Sequence, residues 1–233
     1  MSKKNKEGFE TRAIHAGQKA DPTTGAVMMP IYTSSTFEQE SPGVHKGFDY
    51  SRSINPTRKA FEECIASLEN GEVGFGFSSG VAAISACVEL LSPGDHVIAM
   101  NDLYGGTVRL FNEIKTLSQG IEVTYVDMTN MQNVLEAKTD KTKMIFVETP
   151  TNPLLRVVDL SAIADFAKSE NLVSVCDNTF ASPYVQQPLN YGIDIVLHSA
   201  TKYLGGHSDL IAGALVIGKK DDALVSRMAN IVN

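Results

Sequence analysis

The chain has 233 residues, 43% of them hydrophobic and 20% charged, with no tryptophan, which suffices for one large domain or two modest ones with a sizeable core. Its 20 basic and 27 acidic residues leave a formal charge of −7. That excludes the overall basic field that draws a protein to nucleic acid or an anionic membrane, but not small anions held by local donors.

The N-terminal "MSKKNKEGFE" is basic, yet no apolar run follows it, so no secretory signal is predicted. Residues 1–56 are dense in turn formers and lack sustained helical or strand periodicity, as in "DPTTGAVMMPIYTSSTFEQESPGVHKGFDYSRSINP". So long an irregular stretch is usually functional or wrapped on a partner. From Pro56 the pattern becomes regular, and a helix is predicted over 56–70, opened by proline and closed at Gly71.

Strands and helices then alternate. The run "VGFGF" precedes a helix over 79–91, "HVIAM" one over 107–117, "IEVTYV" a short one over 131–138, and "KMIFVE" one over 159–171. "LVSVC", "IDIVLH" and "GALVIG" follow as further strands, and "RMANIVN" reads as helix. Short, unalternating β-branched runs between amphipathic helices predict an α/β fold with a mostly parallel sheet covered on both faces. Cys64, Cys87 and Cys176 are widely spaced, lie in apolar contexts and form no C-x-x-C pair, which predicts reduced core thiols in a cytoplasmic protein. "FGFSSGVAAISACV" is too short and too interrupted to span a bilayer.

In open parallel sheets, ligands bind beyond the carboxyl ends of the strands. Those ends supply Ser78-Ser79-Gly80, "NDLYGG", "TPTNP", Asp177-Asn178 and "SATK". One rim would thus gather hydroxyls, an aromatic, amides, a carboxylate and the amine of Lys202. A lysine there, next to Gly205-Gly206, is a candidate nucleophile or base if cations or a drier cleft lower its affinity for the proton. Asp177 would either cap a helix or hold a ring nitrogen protonated. The Ser-Ser-Gly turn before a helix offers N–H groups for a phosphate, or only a helix cap, with Ser199 and Thr201 as further hydroxyl donors. Tyr104 is a candidate to stack on a cofactor ring. His198, His207 and Asp209 lack a third and fourth ligand nearby, so no metal site is predicted.

Together "YSRSINPTR", "DLYGGT", "VETPTNP", "CDNTFASP" and "SATKYLGGHSD" resemble the pyridoxal 5′-phosphate (PLP)-dependent enzymes of cysteine and methionine metabolism, the trans-sulfuration group. Five ordered motifs from about residue 9 onward make the resemblance specific. It implies the fold-type-I architecture of PLP-dependent transferases, with residues 1–56 as an arm reaching a neighbouring subunit and 57–233 as the large cofactor-binding domain. A smaller C-terminal domain, which in the family carries an arginine for the substrate α-carboxylate, is expected to be absent from this chain.

By the same resemblance, Lys202 carries the cofactor covalently and later moves protons. Asp177 pairs with the pyridine nitrogen and Tyr104 stacks over the ring. The amides of Gly80 and Val81 hold the phosphate with Ser199 and Thr201. Asn152 lies near the cofactor's phenolic oxygen and the substrate, and Asp49 near the substrate. Tyr50 and Arg52 reach the phosphate of a neighbouring subunit, in a site shared across a dimer of a homotetramer. The implied reaction is γ-elimination of cystathionine to cysteine, 2-oxobutanoate and ammonia. Gly106, where methionine γ-lyases carry cysteine, argues against that branch. Asp49, where many lyases have glutamate, keeps γ-replacement on an activated homoserine as the alternative, and a catalytically incomplete PLP-binding fragment is the third reading.

Overall fold

Seven strands make one sheet in the order β1-β7-β6-β5-β4-β2-β3. They are β1 (Val73–Phe77), β2 (His96–Met100), β3 (Glu122–Val126), β4 (Thr142–Glu148), β5 (Val173–Asp177), β6 (Ile195–His198) and β7 (Gly213–Ile217). The computed structural model describes residues 7–218 and 222–232; the basic start of the chain lies outside them. β3, β2, β4, β5 and β6 are parallel neighbours, while β7 is antiparallel to both β6 and β1. Because β1 is antiparallel to an antiparallel strand, it runs with the parallel set. The carboxyl ends of six strands and the start of β7 therefore meet at one rim.

The sequence-predicted elements lie within a few residues of the observed ones. α2 (Pro56–Leu68) begins at the predicted proline, and the Asn55 side chain caps it by accepting from Thr57 N and Arg58 N. α3 (Gly80–Val88), α6 (Met131–Ala137), α7 (Leu160–Ser169) and α9 (Asp222–Val232) also match. The helix predicted over 107–117 is a continuous rod of α4 (Gly105–Arg109), a π-helical stretch (Leu110–Lys115) and α5 (Thr116–Gln119). Gly120, in the left-handed conformation, ends it.

The arm differs from expectation in one respect, since α1 (Phe9–His15) is helical. Tertiary contacts form it. Arg12 is buried and donates to Ser67 O and to Asn70 Oδ1 at the end of α2, while Phe9 meets Tyr184 edge-on at 5.3 Å. Tyr184 belongs to the short α8 (Ser182–Val185), which periodicity did not reveal. The rest of the arm is irregular and anchored to α2. Thr57 Oγ1 accepts from Tyr32 N and donates to Pro30 O, and Arg58 donates to the carbonyls of Ser51, Arg52 and Ser53.

Central strands β2, β6 and β7 are buried along their whole length, whereas the edge strand β3 is half exposed, as helices on both faces of a sheet require. Cys87 and Cys176 are core thiols, while Cys64 is only half-buried; all three are free. No helix among the described residues is long and apolar enough to cross a membrane. At the centre Phe146 of β4 packs edge-to-face on Phe111 at 5.4 Å, both fully buried. Phe146→Ala removes that ring and leaves a cavity, which should cost about 3–5 kcal/mol and lower the urea midpoint of unfolding.

Candidate active site

Asp177 is the last residue of β5, facing Glu148 of β4 across the parallel ladder. Both carboxylates are buried. Asp177 Oδ1 accepts from Thr179 N at 3.0 Å, and Oδ2 has no partner among the described residues. Burial pushes the Asp177 carboxyl above its ordinary range, while the bonds from Thr179 and a charge on His198 pull the other way.

Glu148 was not singled out in the sequence, although it closes "KMIFVE" at the same rim that drew attention to Asp177. It holds two loops at once, with Oε2 accepting from Tyr104 N at 3.0 Å and Oε1 from Asn152 N at 2.8 Å. Burial and the nearby Asp177 charge raise it to about 8, against the two N–H bonds. Asp102 fixes the same loops from below, accepting from Thr151 Oγ1 and from Leu154 N. The "NDLYGG" and "TPTNP" loops are thus fastened to each other by two carboxylates.

Of the residues expected to hold a phosphate, the start of α3 and the Ser199 turn lie against each other. Ser79 is the N-cap of α3, its hydroxyl accepting from Ala82 N at 3.1 Å. That bond leaves the first-turn N–H groups of Gly80 and Val81 with no acceptor among the described residues. A Cβ on Gly80 would lie 2.7 Å from Ser199 Cβ, so only glycine lets the helix start and the Ser199 turn approach so closely. The Ser199 hydroxyl makes no bond among the described residues, whereas the Thr201 hydroxyl both donates to Ala212 O and accepts from Ala212 N. Of the two expected hydroxyl donors, Ser199 is free and Thr201 is engaged with the segment leading into β7.

Lys202 follows in an exposed turn, where its N–H donates to Ser199 O and its carbonyl accepts from Gly206 N. Its amine has no hydrogen bond or ion pair among the described residues. Tyr104 is 46% exposed, and its ring lies over Gly106, where a Cβ would stand 2.3 Å from ring atom Cε1. Gly106 therefore sets the room in which that ring lies.

The arm residues stay apart from this set. Asp49 Oδ1 accepts from Tyr50 N at 2.7 Å, and the Arg52 guanidinium lies 5.1 Å over the Tyr50 ring. No hydrogen bond, ion pair or ring contact joins Asp49, Tyr50 or Arg52 to Lys202, Asp177 or Ser199 among the described residues. His198 and His207 do not come together either: His198 is buried against Glu69, and His207 Nδ1 meets Gly205 O.

The raised Glu148 carboxyl makes a pH prediction for the cofactor-free protein. Between the ordinary 4.5 and about 8, the folded chain holds a proton that the unfolded chain has lost. Stability therefore falls as pH rises through that window, by up to about 1.4 kcal/mol per pH unit. Glu148→Gln should flatten the slope, measured as denaturant unfolding free energy at a series of pH values.

Comparison with known proteins gives the chain a family. The chain is 58% identical over 213 residues to a cystathionine β-lyase of Coxiella burnetii, covering 91% of this chain and 55% of that protein. It is 47% identical over 234 residues to a cystathionine γ-lyase of Dictyostelium discoideum, covering 100% and 60%. Its fold superposes on the crystal structure of cystathionine γ-lyase from Lactobacillus plantarum complexed with L-serine, with TM-score 0.93 and 50% identity over 97% of this chain and 58% of that one. The chain thus spans somewhat over half the length of these relatives. A family model described as Cys/Met metabolism PLP-dependent enzyme matches residues 10–233, and the chain belongs to that family.

Proposed function

We propose that the protein cleaves a carbon–sulfur bond of cystathionine with PLP, and that γ-elimination to cysteine, 2-oxobutanoate and ammonia is its reaction. The observation that carries this reading is the set of unsatisfied groups meeting at one rim. These are, among the described residues, an Asp177 oxygen with no hydrogen-bond donor, two helix N–H groups without an acceptor, a Ser199 hydroxyl without a bond, and a lysine amine without a partner.

Each unsatisfied group matches a part of PLP. A buried carboxylate calls for a cationic donor, which a pyridinium N–H supplies. The Gly80 and Val81 amides at a helix start, with the Ser199 hydroxyl, suit a phosphate. Lys202 would hold the cofactor, and Tyr104 would lie over its ring. When bound, the cofactor supplies an electron sink for the negative charge that develops next to the substrate amine.

The chain's own residues do the rest. Lys202 Nζ takes the proton from the substrate α-carbon and afterwards moves a proton at the β-carbon, so that the γ-thiol can leave. Asp177 stays ionised opposite the ring nitrogen. Glu148 keeps the Tyr104 and Asn152 loops at a fixed separation around ring and substrate, and Asp49 lies toward the substrate. Tyr50 and Arg52 would serve the phosphate of a neighbouring subunit. Support for this is that both are exposed, carry no bond to the site of their own chain, and sit on a loop clasped by Arg58.

A second reading, not among the three raised by the motifs, comes from a single observation, the 58% identity to a protein named cystathionine β-lyase. Cleavage on the other side of the sulfur would give homocysteine, pyruvate and ammonia. Cystathionine supplied to the full-length protein should yield 2-oxobutanoate; pyruvate would establish the β-lyase. Cystathionine formed from O-succinylhomoserine and cysteine, without keto acid release from cystathionine alone, would establish the γ-synthase.

Lys202→Ala should abolish the visible absorbance of the lysine-bound cofactor while leaving the fold intact by circular dichroism. Arg52→Ala should weaken cofactor retention on dialysis by about tenfold, the effect of losing one charged hydrogen-bond donor. Unchanged retention would remove Arg52 from the site.

A further inference from the structure

Behind the rim a side-chain amide spans two loops that the sheet itself no longer joins. β4 and β5 are paired as far as Glu148 and Asp177, their last residues. Beyond them the chain leaves β4 for the loop of Thr149, Thr151 and Asn152, and leaves β5 for Asn178 and α8. Among the described residues one side chain joins residues 149–158 to residues 178–187 by hydrogen bonds. It is Gln186, whose Nε2 donates to Thr149 O at 3.0 Å and to Asn178 Oδ1 at 2.9 Å.

Backbone carbonyls, which only accept, fix the orientation of both amides. Thr149 O requires the nitrogen of Gln186, and Gln186 O requires the nitrogen of Asn178, at 2.8 Å. Asn178 Nδ2 also donates to Glu69 Oε1 at 2.8 Å, so each of the two amide nitrogens has two acceptors. Thr149 and Asn178 are fully buried and Gln186 half-buried, a setting in which water competes poorly for these bonds. The chain bends to bring Gln186 there. Asn178 O accepts from Ser182 N, Ser182 O accepts from Gln186 N, and Ser182 itself is left-handed, with φ 64°. A residue with a Cβ holds that conformation where its surroundings over-determine it, often near a functional site.

We propose that Gln186 is a positioning residue which, by tying Thr149 to Asn178, sets the separation between Asn152 and Asp177 and so the fit of substrate beside the ring. It rests on the reading of Asp177 as partner of the ring nitrogen and of Asn152 as a neighbour of the substrate. Glu148 fastens the Asn152 loop to the Tyr104 loop, whereas Gln186 fastens it to the strand end that carries Asp177. The tie needs two N–H groups on one atom at that reach. Methionine has the reach without a donor. Ionised glutamate has the shape but turns only acceptors toward Thr149 O and Asn178 Oδ1.

The test is hydrogen exchange followed by mass spectrometry on the full-length, cofactor-free protein, with kinetics and cofactor binding on the loaded protein. Gln186→Glu should speed exchange over residues 149–158. It should also raise KM for cystathionine about tenfold with little change in kcat, the effect of misplacing one hydrogen-bonding contact. Cofactor retention, which rests on Lys202 and the start of α3, should hold within about twofold. Gln186→Met should give the same pattern more weakly and replaces the glutamate variant if melting shows that one to be unfolded. Unchanged exchange and KM in a folded, loaded variant overturn the proposal. So does cofactor retention lost in step with the rise in KM, which marks a general loosening of the fold. Asn152→Ala separates the two levels. If it leaves KM unchanged while Gln186→Glu speeds exchange, the reading of Asn152 falls, and the function given to Gln186 falls with it although the tie between the loops stands.

Discussion

Two buried carboxylates at the ends of adjacent parallel strands, Glu148 and Asp177, are the constraint around which the rim is arranged. Their positions are level in the β4–β5 ladder, and like charges so placed repel in a medium that screens them poorly. The fold answers asymmetrically. Glu148 receives two backbone N–H bonds, and its charge or proton becomes the fastening point of two loops. Among the described residues Asp177 receives a hydrogen bond only from Thr179 N, on one oxygen.

Much of the fold was legible because it rests on local pattern. Unalternating runs such as "HVIAM" can only be buried on both faces, and the Pro56 start of α2 follows from backbone chemistry, while the left-handed residue after its end is Asn70 rather than the expected Gly71. What stayed hidden depends on partners distant in sequence. α1 exists because Arg12 and Phe9 find α2 and Tyr184, and nothing in "FETRAIH" announces them. β7 reads as a strand, but its antiparallel sense does not show in its composition.

The site divides along the same line. The common rim of Lys202, Asp177 and the Ser79-Gly80 turn was legible because the direction of parallel strands brings their ends together whatever the loops do. Glu148 obeys the same rule and could have been found by asking which charged residue closes each apolar run. Glu69 could not, because "SLEN" reads as an ordinary polar helix end, and its burial comes from His198 and Asn178, more than a hundred residues away. The role of Arg58 was hidden for a similar reason. A surface-helix arginine proves to clasp three consecutive carbonyls of the arm, and so shapes the loop that presents Tyr50 and Arg52.

The pleat of the sheet explains how one rim serves two purposes. Successive residues of an extended strand point to opposite faces, so Asp177 and Asn178 face different layers although they are bonded neighbours. The register pairs Asp177 with Leu197, and this brings Asn178 level with His198 on the layer that faces the end of α2. A single oxygen of Glu69 can take both for that reason. Behind the rim, Glu69 Oε1 joins His198 and Asn178, while Glu69 Oε2 and His198 Nδ1 stay buried without a partner among the described residues. Shifting β6 against β5 by one residue would exchange the two layers and put an imidazole where the Ser199 turn begins. The Glu69 contact opposes that slip, since only the observed register offers it two donors at once.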